Sequence, residues 1–181
     1  MDQQIERLKQ KVVARGAHLN PTLMVDDIVH FEQRYRIKLP DGYRDFLLHL
    51  GNGGDGPPHY GLASLPLSHD THSIIDRVTL AQLQKMYLPF PFREPWIWED
   101  EELPVDDLEK DLLAGKHAAV RYGHLFLGDD GCGQLWQLIL TGPERGNVWL
   151  FTDVGITPTN PTRNFLTWYE DWLDGITSWW L

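Results

Sequence analysis

The thiol of Cys132, the chain's single cysteine, lies between Gly131 and Gly133. A thiol becomes a nucleophile when a nearby imidazole lowers its pKa, and His124 would serve if the fold brought it within reach. The competing and preferred reading is a small buried thiol at the start of a strand, its flanking glycines permitting a tight turn. His69-Asp70-Thr71-His72 sets two imidazoles and a carboxylate in a short span. Zinc wants three or four ligands, so a polar loop accounts for the same residues. Gly128-Asp129-Asp130-Gly131 lacks the alternating oxygens and closing Glu of a calcium loop and reads as a turn between strands. No Gly-x-x-x-x-Gly-Lys-Ser/Thr phosphate loop, Gly-x-Ser-x-Gly elbow or His-Glu-x-x-His pair is present. The expectation is a protein with no catalytic residues, no bound metal and no cofactor.

Carboxylates crowd Glu99-Asp100-Glu101-Glu102. Acid–base catalysis needs two such groups in differently tuned environments, which an exposed run does not provide. Binding is the better use. Trp96 and Trp98 directly precede the run, and residues two apart in an extended segment face the same side. Tryptophan combines large contact area with one donor and is enriched at binding hot spots. Trp96, Trp98, Glu99, Asp100, Glu101 and Glu102 are therefore the expected partner-binding residues, against an alternative in which both indoles belong to the core. From Glu94 to Asp111 there are nine acids and one base, Lys110, so nearly all of the net charge of −10 lies in one segment. Nucleic-acid binding requires Lys and Arg to neutralise phosphates, and no basic cluster supplies them. A cationic protein partner suits the charge; a solvated loop that aids solubility is the plainer alternative.

The elements that must position these residues change character along the chain. With 181 residues and 42% hydrophobic content, one domain over residues 1–181 is expected. A lone cysteine removes the disulfide staple of small secreted domains. No basic run followed by an apolar stretch opens the chain, and no window approaches the roughly 18 to 20 apolar residues of a membrane span. These features predict a cytoplasmic protein without export signal or membrane anchor. Ile5, Leu8, Val12 and Val13 recur at helical spacing up to Gly16. Val25 to Tyr35 predicts a second helix, with Asp26 and Asp27 in its first turn. After the turn at Leu39-Pro40, Asp41 is placed to cap a third helix bearing Tyr43, Phe46, Leu47 and Leu50, stopped by Gly51-Asn52-Gly53-Gly54. Tyr60-Gly61-Leu62 and Leu65-Pro66-Leu67 read as short extended pieces. Val78 to Tyr87 has helical spacing, whereas Pro89, Pro91 and Pro95 predict an irregular stretch beyond it. Gly123 to Gly128, Gly133 to Leu140 and Gly146 to Asp153 predict three strands of an antiparallel meander, with a turn at Asp129-Asp130-Gly131. Pro161 stands where a first-turn proline would, ahead of a helix carrying Phe165, Trp168, Tyr169, Trp172 and Leu173 and ending at Gly175. Leu39, Tyr43, Phe46, Trp168 and Trp172 are the expected core of the helical layer.

Phe31-Glu32, Leu39-Pro40-Asp41-Gly42-Tyr43-Arg44-Asp45-Phe46-Leu47 and Gly51-Asn52-Gly53-Gly54 occur in that order, followed by Tyr60-Gly61-Leu62. The combination resembles the N-terminal signature of the SUKH superfamily, which includes the Smi/Knr-type proteins. Gly123-His124-Leu125-Phe126-Leu127-Gly128, Gly131-Cys132-Gly133 and Gly146-Asn147-Val148-Trp149 are similar to that family's sheet, and the aromatic terminal helix fits as well. The resemblance implies an α+β fold: N-terminal helices, an antiparallel sheet, a C-terminal helix packed on it, and no cofactor. For a bacterial member it implies an immunity protein that neutralises a cognate toxin by stoichiometric binding, which with the acidic segment predicts a cationic toxin domain as partner. Fungal members are regulatory scaffolds, so a scaffold of the same fold is the alternative, followed by a small hydrolase using Cys132 or a metal. The matched motif residues read as architectural, and the acidic Trp-rich segment lies outside the signature.

Overall fold

The structure, a computed structural model, describes residues 3–66, 83–99 and 106–179. Three helices come first: α1 (Gln3–Arg15), α2 (Val25–Tyr35) and α3 (Asp41–His49). Ile5 and Leu8 of α1 are buried, whereas Val13, expected on the same stripe, is 80% exposed. Eight residues after Ile5 the helix has advanced past two full turns, which carries Val13 away from the buried face. Ile28, Phe31, Glu32 and Tyr35 are the buried residues of α2. Glu32 accepts a hydrogen bond from the Leu39 backbone N–H at 2.9 Å and another from the Arg44 guanidinium at 2.8 Å. One carboxylate thus holds the Leu-Pro turn and α3 against α2. Pro40, not Asp41, occupies the cap position of α3, because its carbonyl accepts the first helical bond, from Arg44 N–H, at 2.9 Å. Asp41 is the first helical residue, where its charge still suits the dipole.

The sheet has five antiparallel strands: β1 (Trp96–Ile97), β2 (His124–Gly131), β3 (Gln134–Ile139), β4 (Val148–Phe151) and β5 (Gly155–Pro158), in the order β1-β5-β4-β3-β2. The meander therefore has four strands where the sequence predicted three, and β1 adds a fifth at the edge. The extra reversal follows β4, where the Thr152 hydroxyl accepts from Val154 and Gly155 N–H and so folds the chain back. Asp129 and Asp130 lie inside β2 instead of forming a turn; the reversal is at Cys132-Gly133, with Gly131, Cys132 and Gly133 all at positive φ. Segment 60–63 runs beside β2, with Tyr60 N–H on the Asp129 carbonyl and Ala63 N–H on the Leu127 carbonyl. The approach is close enough that a Cβ at Gly128 would lie 2.6 Å from the Gly61 carbonyl oxygen, so glycine is required there.

Both faces of the sheet are covered, which explains why all four residues of β4 are buried. Trp136 and Leu138 of β3 and Val148 and Leu150 of β4 join the core shared with α1, α2, α3 and the final helix, α5 (Phe165–Leu173). The alternate residues Ile139, Trp149 and Phe151 join Phe90, Phe92, Trp96 and Ile156 in a second cluster on the other face. Helix α4 (Asp107–Ala119) lies on that second face, contributing Leu113 and Ala119. The α5 cap is Asn164, whose side chain accepts from Thr167 N–H at 2.9 Å; Pro161 stands before the helix, not in its first turn. Leu39, Tyr43, Phe46 and Trp168 are at most 1% exposed, as expected. Trp172 is only partly buried, at the rim, where the Arg15 guanidinium stacks 4.2 Å from its ring. The Arg7–Glu170, Lys11–Glu170 and Lys11–Asp174 ion pairs join α1 to the end of α5, and Arg7 first, then Lys11, lowers the Glu170 carboxyl to about 2.

Candidate functional site

Strand β1 hangs on the outer edge of β5 through the pairs Trp96–Ile156 and Ile97–Gly155. Extended backbone puts Trp96 and Trp98 on one side, and their rings meet edge to face with centroids 5.1 Å apart. Trp96 is 5% exposed: Phe92 stacks on it at 5.5 Å, and Lys116 and His117 of α4 cover it at 4.1 and 4.7 Å. It is a core residue of the second cluster. Trp98 is half-buried beside it, its indole N–H donating to the Asp153 carbonyl at 2.7 Å. Glu99 is exposed, and Asp100, Glu101 and Glu102 lie outside the described residues.

The rest of the acidic segment continues into α4. Asp106 caps it, accepting from Glu109 N–H at 2.8 Å, and Asp107 and Glu109 occupy the first turn. Negative charge at that end is favoured by the helix dipole, so part of the acidic excess has a local structural reason. Glu94, Glu99, Asp106, Asp107, Glu109 and Asp111 are all exposed. Asp107 pairs with Lys110 at 3.1 Å. Hydrophobic periodicity missed α4, although the Asp106-to-Glu109 spacing is that of a capping box and pointed to its start.

The other candidates take structural places. Cys132 is exposed at the β2–β3 turn with φ of 51°, not buried as expected. The register puts it past the Gly131–Gln134 end of the hairpin, while His124 pairs with Ile139 at the opposite end. The seven residues between them span more than about 20 Å of strand, so Cys132 and His124 do not form a thiol–imidazole pair. His124 is 4% exposed, its Nε2 2.8 Å from the Val120 carbonyl and its Nδ1 2.9 Å from the Gln137 side-chain amide. Burial lowers its pKa to about 4, so the ring is neutral near pH 7 and carries one N–H, which donates either from Nε2 to the Val120 carbonyl or from Nδ1 to Gln137 Oε1. The Asp129 carboxylate accepts from Gly131 N–H at 2.6 Å; that of Asp130 accepts from His59 N–H at 2.5 Å and Trp136 Nε1–H at 2.8 Å. Protein donors thus use these oxygens where a calcium loop would offer them to a cation.

His69-Asp70-Thr71-His72 lies outside the described residues. Among the described residues, no three His, Cys, Asp or Glu side chains gather as a metal site needs, and no helix is long and apolar enough to cross a membrane. A cleft of about 790 Å³ opens between segment 54–62 and the C-terminal turn, lined by Pro57, Pro58, Tyr60, Asp130, Trp172 and Trp179. Both carboxylates in its lining already accept from protein donors, Asp55 from His18 N–H and Asp130 from His59 and Trp136.

Comparison with known proteins agrees with this architecture. No curated protein and no solved structure matches the chain. A sequence model of the SMI1 / KNR4 family (SUKH-1) matches residues 23–171, from the approach to α2 through most of α5. Within that span lie the Glu32 carboxylate that holds the Leu-Pro turn, the complete sheet and the aromatic helix that covers it. The chain belongs to the SMI1 / KNR4 family (SUKH-1).

Proposed function

We propose that this chain is a cytoplasmic bacterial immunity protein that neutralises a cationic protein toxin by stoichiometric binding, without catalysis, metal or cofactor. The family includes immunity proteins. The observation that carries the reading is the placement of charge: nine acids between Glu94 and Asp111, of which every described one is exposed along the β1–α4 edge. A field of one sign steers an oppositely charged protein into contact and repels wrong partners. The Cys132–His124 separation speaks against the form of the hydrolase alternative that pairs this thiol with this imidazole.

Producing the chain together with the toxin-like product of an adjacent reading frame, in a host that the toxin kills, tests the proposal. Growth restored in proportion to the amount of this chain, with both proteins eluting as one complex of fixed composition, is the expected result. Unrelieved killing despite abundant folded chain, with no complex, would contradict it.

A further inference from the structure

Helix α4 has 13 residues, none of them buried. A helix of that length is marginal in water and draws most of its stability from packing an apolar face. Its C-terminal half has contacts of that kind, through Leu113 and Ala119 and through Lys116 and His117 on Trp96. In its N-terminal half, Leu108 and Leu112 are 69% and 68% exposed. They lie one turn apart and so form one stripe. At about 100° per residue, Asp107 and Asp111 run along one side of that stripe and Glu109 along the other. All three acids are exposed.

An apolar centre inside a charged rim is the usual anatomy of a protein interface, and the sign of this rim selects the partner. We infer that the Leu108–Leu112 stripe of α4 is the apolar anchor by which the chain holds a basic protein, one whose surface offers an apolar pocket ringed by Lys and Arg. A second copy of this chain would set acid against acid. The inference rests on the neutralisation proposed above and places its anchor on α4, since the Trp96 indole is already covered within the second cluster.

Binding kinetics against the toxin domain encoded beside this chain, at two salt concentrations, test the inference. Circular dichroism on each variant checks the fold. The Leu108→Ser/Leu112→Ser chain keeps its melting temperature and its association rate within about twofold, but dissociates at least about tenfold faster. Asp107→Asn/Glu109→Gln/Asp111→Asn instead slows association and flattens its salt dependence. Unchanged dissociation of the Leu→Ser variant from a toxin that the wild type still neutralises overturns the anchor alone. No binding by the wild type overturns the neutralisation and the anchor together. Self-association of the wild type that the Leu→Ser variant loses overturns the basic partner in favour of a second copy.

Discussion

His124 joins the end of α4 to β3, since one ring nitrogen faces the Val120 carbonyl and the other the Gln137 side chain. Its ring also packs 4.6 Å from that of Phe151, inside the second cluster. Burial holds its pKa at about 4, below the ordinary 6.5. Between those values the unfolded chain binds a proton that the folded chain refuses, so stability is whole above about pH 6.5 and declines as the pH falls towards 4. The shift corresponds to about 3 kcal/mol. Denaturant midpoints of wild type and His124→Gln across this window check the claim; the variant should lack the slope. Glu170 acts lower, with a folded pKa of about 2 against an ordinary 4.5, so what it adds is lost as the pH falls from 4.5 towards 2, and the two windows overlap only between about 4.5 and 4. Glu32 is a different case, a buried carboxylate whose bonds to Leu39 N–H and Arg44 fix the Leu-Pro turn. Glu32→Ala should cost about 2 to 3 kcal/mol in denaturant unfolding. Glu32→Gln should cost less, because its amide oxygen still accepts from Leu39. The sequence displayed Glu32 on the apolar stripe of α2, but a side chain's bond to a backbone N–H seven residues away belongs to the folded turn and is not visible in periodicity.

Among the elements, α3 and α5 bind the helical layer together. Phe46 is fully buried and meets Phe165 and Tyr169 edge to face at 5.1 and 4.9 Å. Phe46→Ala should lower stability by about 3 to 5 kcal/mol, read as a lower melting temperature; an unchanged value would contradict the assigned face of α3. Helices α2, α3 and α5 were legible because each buries a stripe whose spacing stands in the sequence. Helix α4 was not, because its leucines at 108 and 112 face solvent and its other contacts involve Lys116 and His117, residues that hydrophobic periodicity does not count. β1 and β5 escaped for another reason. β1 is defined by a partner some 60 residues away, β5 by the short reversal that follows β4, and two to four residues carry too little alternation to announce a strand. For the candidate site, the spacing of Trp96 and Trp98 correctly gave a shared side. It could not show that α4 returns to cover the first indole and leaves the second at the rim.

For the whole molecule, the uneven charge is the property that bears on function. Outside residues 94–111 the chain is close to neutral, with 17 acids and 15 bases, so the field comes from one edge and should act on the rate of encounter more than on folding. Glu101→Lys/Glu102→Lys should leave the melting temperature within about one degree while lowering the association rate for a cationic toxin and weakening its dependence on salt. Stopped-flow association at two ionic strengths measures this, and an association rate indifferent to both salt and the charge reversal would return the segment to a solvated loop. Stoichiometric neutralisation is the central claim, and an activity titration tests it most directly: a fixed concentration of the purified toxin, well above the dissociation constant, with increasing amounts of this chain. The account predicts that toxin activity falls linearly to zero at a fixed molar equivalence, does not change with incubation time, and returns when the complex is separated in high salt. Toxin activity that keeps falling with time at a small fraction of an equivalent, and does not return on separation, would mean that the chain destroys its target by catalysis and would contradict the account.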